Sequence, residues 1–105
     1  MFNAGETILI ETNRDEGGYI QSHLFVIGLD TDKKTHLTII IPIDTIRGQK
    51  YDRQTTLETG CHEFINHDSY INYRRARIIS TDALEKFINQ GIAKKKNSLF
   101  PNHVR

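Results

Sequence analysis

The stretch His36-Leu37-Thr38-Ile39-Ile40-Ile41 decides the fold class of this chain. It is short, β-branched and apolar on both faces of an extended backbone, which predicts a strand buried on both sides. Pro42 follows it directly and cannot donate a hydrogen bond to a neighbouring strand. We therefore expect Pro42 to mark the end of this strand, an edge or a bulge.

Shorter extended segments flank that strand on both sides. Glu6 to Glu11 is β-branched and Leu24 to Ile27 is apolar, so both predict strands. The polar run Asp30 to Lys34 predicts the turn of a hairpin. On the C-terminal side, Thr55 to Leu57 predicts the start of another strand, and the alternation over Tyr73 to Ile79 predicts one more. Asp68 and Ser69 are expected to cap a short turn just before it.

One segment near the C-terminus has the pattern of an amphipathic helix. It runs from Asp82 to Gln90, and Asp82 with Glu85 forms a start that is similar to a capping box. An apolar stripe at helical spacing follows, made of Leu84, Phe87 and Ile88. Gly91 is a natural stop. Five or six short strands with one C-terminal helix predict a mainly β fold, a small curled sheet or barrel.

The composition predicts one globular domain. A chain of 105 residues with 37% hydrophobic and 26% charged residues can bury an ordinary core. We assign residues 1–93 to that domain and residues 94–105 to a basic tail that we expect to be partly disordered. The net charge of +1 excludes binding to polyanions through bulk charge, so nucleic-acid binding needs local clusters.

The same composition bears on where the protein acts. A single cysteine excludes an internal disulfide and fits a reducing compartment. No apolar run approaches the roughly 18 residues that a membrane helix needs. The first residues lack the basic start and apolar stretch of a signal peptide. We therefore expect a cytoplasmic protein that does not enter a membrane.

The segment from Gly60 to Arg77 concentrates side chains that ionise or donate hydrogen bonds. It holds two histidines, a thiol, a serine, two phenols and three guanidiniums. Such groups cost free energy when they are buried unpaired, so a segment built only for packing would not need them. Imidazoles transfer protons, guanidiniums bind phosphates and aromatic rings stack on bases. This segment is therefore the best candidate for a site that binds or cleaves phosphodiesters.

Several short segments occur in a characteristic order. They are Gly5 to Ile10, His23 to Ile27, Ile41 to Thr45, and Ser69 to Tyr73. This ordered set resembles the PemK/MazF family of toxins, which are small SH3-like barrels from toxin–antitoxin pairs. The similarity spans roughly residues 5 to 92. The segment Gly60 to Ile65, followed by Ser69-Tyr70, is similar to a divergent branch of that family.

The resemblance implies a set of functional properties. These are sequence-selective cleavage of single-stranded RNA without a metal or other cofactor, a homodimer, and neutralisation by a cognate antitoxin protein. The chain departs from the family at two places. His23 stands where the toxins carry an arginine that helps to stabilise the scissile phosphate, and the position of their catalytic hydroxyl falls near Asp44, with Thr45 next along.

RNA cleavage without a metal needs a base for the 2′-hydroxyl, an acid for the leaving 5′-oxygen and a cation for the phosphate. Imidazoles can serve as base and acid near neutral pH. A His23/His62 pair with Arg74 or Arg75 would supply all three. The catalytic candidates are His23, His62, Arg75 and Thr45. The candidates for substrate binding are Ser69, Tyr70, Tyr73, Arg74 and Arg77.

Each of these residues also has a plainer interpretation. His23 can be a half-buried histidine with one hydrogen bond, and Cys61 can be a structural thiol instead of a nucleophile paired with His62. Tyr70 and Tyr73 can stack on bases, or one of them can plug the end of a barrel. Arg75 and Arg77 share a side with Tyr73 if that segment is a strand.

Two further alternatives concern a metal site and the activity of the whole protein. A metal site of Cys61, His62 and His67 lacks the usual ligand spacing, so no metal is expected. A catalytically inactive barrel of the same fold, which binds a partner protein or a nucleic acid, is the alternative to an endoribonuclease.

Overall fold

The computed structural model describes residues 2–14, 20–46, 56–57, 62, 65 and 67–99. Within them the chain forms seven strands, one α-helix and one short 3₁₀ helix. The strands are β1 (Thr7–Arg14), β2 (Ile20–Ile27), β3 (Leu37–Thr45), β4 (Thr56–Leu57), β5 (Ser69–Ile71), β6 (Arg77–Ser80) and β7 (Ala93–Lys96). The 3₁₀ helix is Tyr73–Arg75 and the α-helix, α1, is Thr81–Asn89.

All described strands belong to one antiparallel sheet. Its order is β4-β5-β3-β2-β1-β7, and β6 also pairs with β3. β6 pairs with the first half of β3, Leu37 to Ile40, whereas β5 pairs with the last part, Ile43 to Thr45. The prediction of a mainly β fold with a curled sheet and one C-terminal helix is confirmed. Within the described residues the sheet does not close into a barrel.

Pro42 lies inside β3, so of the three predicted positions (a strand end, an edge or a bulge) the strand end is wrong. On one side Pro42 is paired with Phe25 of β2. On the other side β6 has already stopped and β5 has not yet begun, and the carbonyl of Pro42 accepts a hydrogen bond from the backbone N–H of Asn72 at 2.9 Å. The missing N–H of proline therefore falls in the gap between two partner strands, where no ladder hydrogen bond is lost.

The sheet buries apolar side chains on both faces. One cluster contains Leu24, Val26, Ile41, Ile43, Leu57, Ile65, Ile71 and Leu99. The other contains Phe2, Ile8, Ile27, Ile40, Leu84 and Ala93. Alternate residues of β2 and β3 enter the two clusters because successive side chains of a strand point to opposite faces. The prediction that β3 is buried on both sides is confirmed over residues 40 to 43.

The helix is confirmed, but its start differs from the prediction. It begins at Thr81, and Ser80 is the N-cap, whose hydroxyl accepts a hydrogen bond from the N–H of Ala83 at 3.0 Å. Ser80 ends β6 with an extended backbone, which suits an N-cap, whereas Asp82 already lies in the first turn. Gly91 has a φ of +77° and ends the helix as expected. No helix in the described segments is long and apolar enough to cross a membrane.

The segment before α1 corrects two further predictions. Ser69 lies in β5 and does not cap a turn, because pairing with Thr45 of β3 holds it in an extended strand. Tyr73 to Arg75 form a 3₁₀ helix, so only Arg77 to Ile79 of the predicted strand lie in a strand, β6. Strand alternation therefore does not place Tyr73 and Arg75 on one side with Arg77.

The polypeptide after the helix continues the sheet. β7 pairs with Thr7 to Ile10 of β1, and the N–H of Leu99 donates to the carbonyl of Gly5 at 3.1 Å. Leu99 is itself buried. The boundary that the sequence analysis placed at residue 93 therefore runs through β7, and residues 94 to 99 are part of the folded unit. The rest of the expected tail, residues 100–105, lies outside the described residues.

Candidate active site

Three side chains meet around one carboxylate on the face of the sheet that α1 partly covers. Nε2 of His23 lies 3.0 Å from Oδ1 of Asp44. The side-chain amide of Asn72 donates a hydrogen bond to Oδ2 of Asp44 at 2.7 Å. Nη1 of Arg75 lies 3.7 Å from the same oxygen. We refer to His23, Asp44, Asn72 and Arg75 as the Asp44 cluster.

The pairing of β2, β3 and β5 assembles this cluster. His23 and Asp44 each lie two residues from the Phe25–Pro42 pair, which sets them side by side on one face of adjacent antiparallel strands. Asn72 follows β5 directly and is held by its hydrogen bond to the carbonyl of Pro42. The 3₁₀ helix then turns the chain so that Arg75 returns to Asp44.

The members of the cluster differ in exposure. The side chain of Asp44 is 16% exposed, whereas those of His23 and Arg75 are 35% and 60% exposed. The ring of His23 packs edge-on against Phe25, with ring centroids 5.4 Å apart. The cluster therefore has a sheltered anion at its centre and two cation-forming groups that solvent and a ligand can reach.

The contact between His23 and Asp44 is electrostatic. Nε2 and Oδ1 are close, but their orientation does not meet the geometry of a hydrogen bond. In the described part of the chain no group hydrogen-bonds to Nδ1 of His23. A carboxylate behind Nε2 helps to orient the ring, which leaves the other ring nitrogen for proton transfer.

His62 has different surroundings and a different place in the fold. It is 5% exposed, and its Nε2 lies 2.7 Å from the carbonyl of Asn97 and 3.0 Å from Oγ1 of Thr7. Thr7 pairs with Val26, whose side chain enters the cluster on one face of the sheet, whereas His23 pairs with Ile10 on the other face. The two histidines therefore contact opposite faces, and the predicted His23/His62 pair is not assembled.

Two further candidates meet in a cavity of about 340 Å³ on the face opposite the Asp44 cluster. Thr45 and Ser69 are paired across β3 and β5, and both line this cavity together with Ser22 and His67. Its floor is apolar, made of Leu9, Leu24, Ile43 and Ile65, and His23 also borders it. The hydroxyl of Ser69 donates to the carbonyl of His67 at 2.8 Å.

The remaining candidates are spread over the surface and the interior. Tyr70 is buried, which favours packing over base stacking for its ring. Tyr73 is half-buried and packs against the apolar cluster that contains Leu24. Arg74 and Arg77 are exposed, and Arg77 lies with Arg75 at a second pocket. Cys61 lies outside the described residues, which contain no group of three or more His, Cys, Asp or Glu side chains that could hold a metal ion.

Two members of the cluster had no role in the sequence analysis. The resemblance placed the toxins' catalytic hydroxyl near Asp44 but gave its carboxylate no role, although its distance of two residues from Pro42 is a signal once β2 and β3 are paired in register. Asn72 had no such signal. The position of Asn72 depends on the 3₁₀ helix that follows it. The sequence did not predict this helix, because the alternation of residues 73 to 79 predicts a strand.

Comparison with known proteins does not identify a family. No family model matches the chain, and neither does any curated protein or solved structure. The resemblance to PemK/MazF toxins therefore stays a prediction from the residues.

Proposed function

We propose that this protein is a PemK/MazF-like toxin that cleaves single-stranded RNA without a metal ion. The observation that carries the proposal is the Asp44 cluster, in which one carboxylate holds His23 and Arg75 together at an accessible surface. An imidazole for proton transfer and a guanidinium for the phosphate are the two groups that this reaction needs most. His62, which is buried, has a structural role in this proposal and no catalytic one.

In the proposed reaction His23 takes the proton from the 2′-hydroxyl of the RNA. The 2′-oxygen then bonds to phosphorus and the bond from phosphorus to the 5′-oxygen breaks. That oxygen takes a proton from a water molecule, and the hydroxide left behind takes the proton that His23 holds. Arg75 stabilises the extra negative charge on the phosphate while both bonds are partial. Asp44 orients His23 and Asn72 holds Asp44. The products are a 2′,3′-cyclic phosphate and a free 5′-hydroxyl.

The test is cleavage of single-stranded RNA by the purified protein in EDTA. We expect a 2′,3′-cyclic phosphate product. For Arg75→Ala we expect the cleavage rate to fall by about tenfold or more. Arg74→Ala is the matched control, because Arg74 is the exposed neighbour for which the described residues show no contact with Asp44. Activity that disappears on chelation and returns with a divalent ion would contradict the mechanism, as would equal effects of the two substitutions.

The toxin proposal includes a homodimer that binds a cognate antitoxin protein in the cytoplasm. An exposed apolar group supports a protein partner, since Leu29, Leu37 and Ile78 lie together around one pocket beside β6. Light scattering checks the homodimer. A monomer of 12.1 kDa at micromolar concentration would count against it.

A second function is favoured by one feature of the same cluster. Asp44 offsets the charge of Arg75 and lies against His23, and a polar cluster of this kind can be structural. The protein would then have the same fold without catalytic activity and would bind RNA or a partner protein. RNA that is retained by the protein but not cut, with or without EDTA, would favour this function.

A further inference from the structure

A pocket of about 490 Å³ adjoins the Asp44 cluster. It lies on the same face of the sheet, between strands β1, β2, β3 and β6 and the helix α1. Arg75 belongs to both, because it lines the pocket and contacts Asp44. Phe25 belongs to both as well, since it lines the pocket and packs against the ring of His23. A ligand that fills the pocket therefore lies next to the Asp44 cluster.

The side chains that line the pocket suit a ligand that is both aromatic and negatively charged. The walls of the pocket are largely apolar and include the rings of Phe25 and Phe87, and Arg75 and Arg77 add two guanidiniums to its lining. Its one uncharged polar side chain among the described residues is Thr12. Thr12 is the extra residue of a bulge in β1, since Glu11 pairs with Ser22 and Asn13 with Gln21. Bulges of this kind redirect a side chain and are frequent beside active sites.

We propose that this pocket binds one nucleobase of the RNA, next to the phosphate that is cleaved. The proposal rests on the proposed function and adds a base-binding subsite to it. The base packs against the apolar walls and the two phenyl rings, and the adjoining phosphates contact Arg75 and Arg77. The volume lies within the range of sites that enclose small ligands.

The alternative ligand is an apolar peptide segment of a partner protein. Two neighbouring guanidiniums at the pocket favour the nucleotide, because such a peptide would need acidic residues to match them. Since Thr12 is the one uncharged hydrogen-bonding side chain that the described residues place there, the pocket selects bases by size and stacking more than by their edges. A several-fold preference for a purine over a pyrimidine at that position is expected.

The test uses a short RNA with 2′-O-methyl groups, which cannot be cut, and measures its binding by fluorescence anisotropy. Abasic nucleotides are introduced at one position at a time. We expect one position at which the loss of the base weakens binding by about 5- to 100-fold, because stacking of one base on aromatic side chains contributes on that scale. In Phe87→Leu the same abasic substitution should have little effect.

Arg77→Gln gives a second readout that does not depend on the packing of the helix. Arg77 is exposed, so the variant should fold normally. It should weaken binding of the intact RNA several-fold and lower its salt dependence by about one ion, while the abasic effect stays. Lys94→Gln, which removes an equal charge from an exposed site on β7, is the matched control and should change neither.

The outcomes separate this inference from the proposed function, because binding of the uncut RNA requires no catalysis. A single sensitive position that depends on Phe87 supports the subsite even if no RNA is cleaved. Equal losses at every position, or a loss that Phe87→Leu leaves unchanged, would overturn the subsite while cleavage could still be measured. Binding that is indifferent to all abasic changes would also overturn it and favour the peptide.

Discussion

His23 and His62 are identical side chains that contact opposite faces of the β1–β2 pair and differ in burial and in partners. His62 is almost fully enclosed and faces a threonine hydroxyl and a backbone carbonyl. His23 is one-third exposed, and a carboxylate stands behind it with a guanidinium nearby. The first arrangement satisfies a buried polar group, whereas the second leaves a ring nitrogen accessible for chemistry.

The difference shows that residue type alone does not assign a role. A buried polar side chain is retained when its partners are satisfied, and its loss is felt as stability. An exposed imidazole beside a carboxylate contributes little to stability and is available to a substrate. The two histidines should therefore respond to the same substitution in opposite assays.

The largest expected effect is the loss of RNA cleavage when His23 is replaced. His23→Ala should lower kcat for RNA cleavage by on the order of 10²-fold or more, because the reaction loses its base. The unfolding transition in urea should stay close to that of the unchanged protein. Cleavage assays and chemical denaturation of the same preparations measure both. A folded His23→Ala protein with full activity would show that His23 is not the base. The cavity that Thr45 and Ser69 line would then be the next candidate for the active site.

His62→Ala should act mainly on stability. Removing the imidazole takes away its contacts with Thr7 and Asn97, whose hydroxyl and carbonyl still hydrogen-bond to each other at 2.6 Å, so the loss should be about 0.5–1.5 kcal/mol. Denaturation in urea measures the change. His67→Ala is the control, because His67 is exposed and its loss should change stability by less than about 0.5 kcal/mol. A His62→Ala protein that is fully stable but inactive would reverse the assignment.

A smaller effect on rate is expected at Asp44. Asp44→Asn keeps the size of the side chain, but it removes the charge that orients His23, so cleavage should slow by about tenfold. Asp30→Asn is the matched control. Asp30 is an exposed carboxylate that accepts a hydrogen bond from the N–H of Ala4 at 2.8 Å, outside the Asp44 cluster. Equal rates for the two variants would show that the carboxylate of Asp44 does not act on His23.

The smallest effect concerns acid stability and comes from Asp32, outside both histidine sites. Its carboxylate accepts hydrogen bonds from the N–H groups of Thr35 and Lys34, which lower its pKa below the ordinary value. Because the folded-state pKa is lowered, the stabilising contribution is present above about pH 4 and is lost as the pH falls through the lowered value.

Thermal unfolding of Asp32→Asn checks this contribution. The variant should melt slightly below the unchanged protein at pH 7, and the difference should shrink at pH 3. A difference that instead changes between pH 5 and 8 would point to a histidine. The measurement therefore separates acid-induced unfolding from any effect of pH on His23.

The sequence by itself determined the class of the fold. β-branched runs, such as residues 36 to 41, encode extended structure locally, and an apolar stripe at helical spacing before Gly91 encodes the helix. These are properties of neighbouring residues, so no tertiary information was needed for them. The same local reasoning identified His23 and Arg75 as residues with the right chemistry.

Only the tertiary structure decided which of these residues meet. The register of β2 with β3 sets His23 beside Asp44, and the 3₁₀ helix brings Arg75 to the same carboxylate. The pairing of β7 with β1 likewise turns an expected tail into a strand. Strand partners and register depend on contacts between residues far apart in the chain, and a shift of one residue would move a side chain to the other face. For that reason two histidines that look alike in the sequence are separated by the sheet.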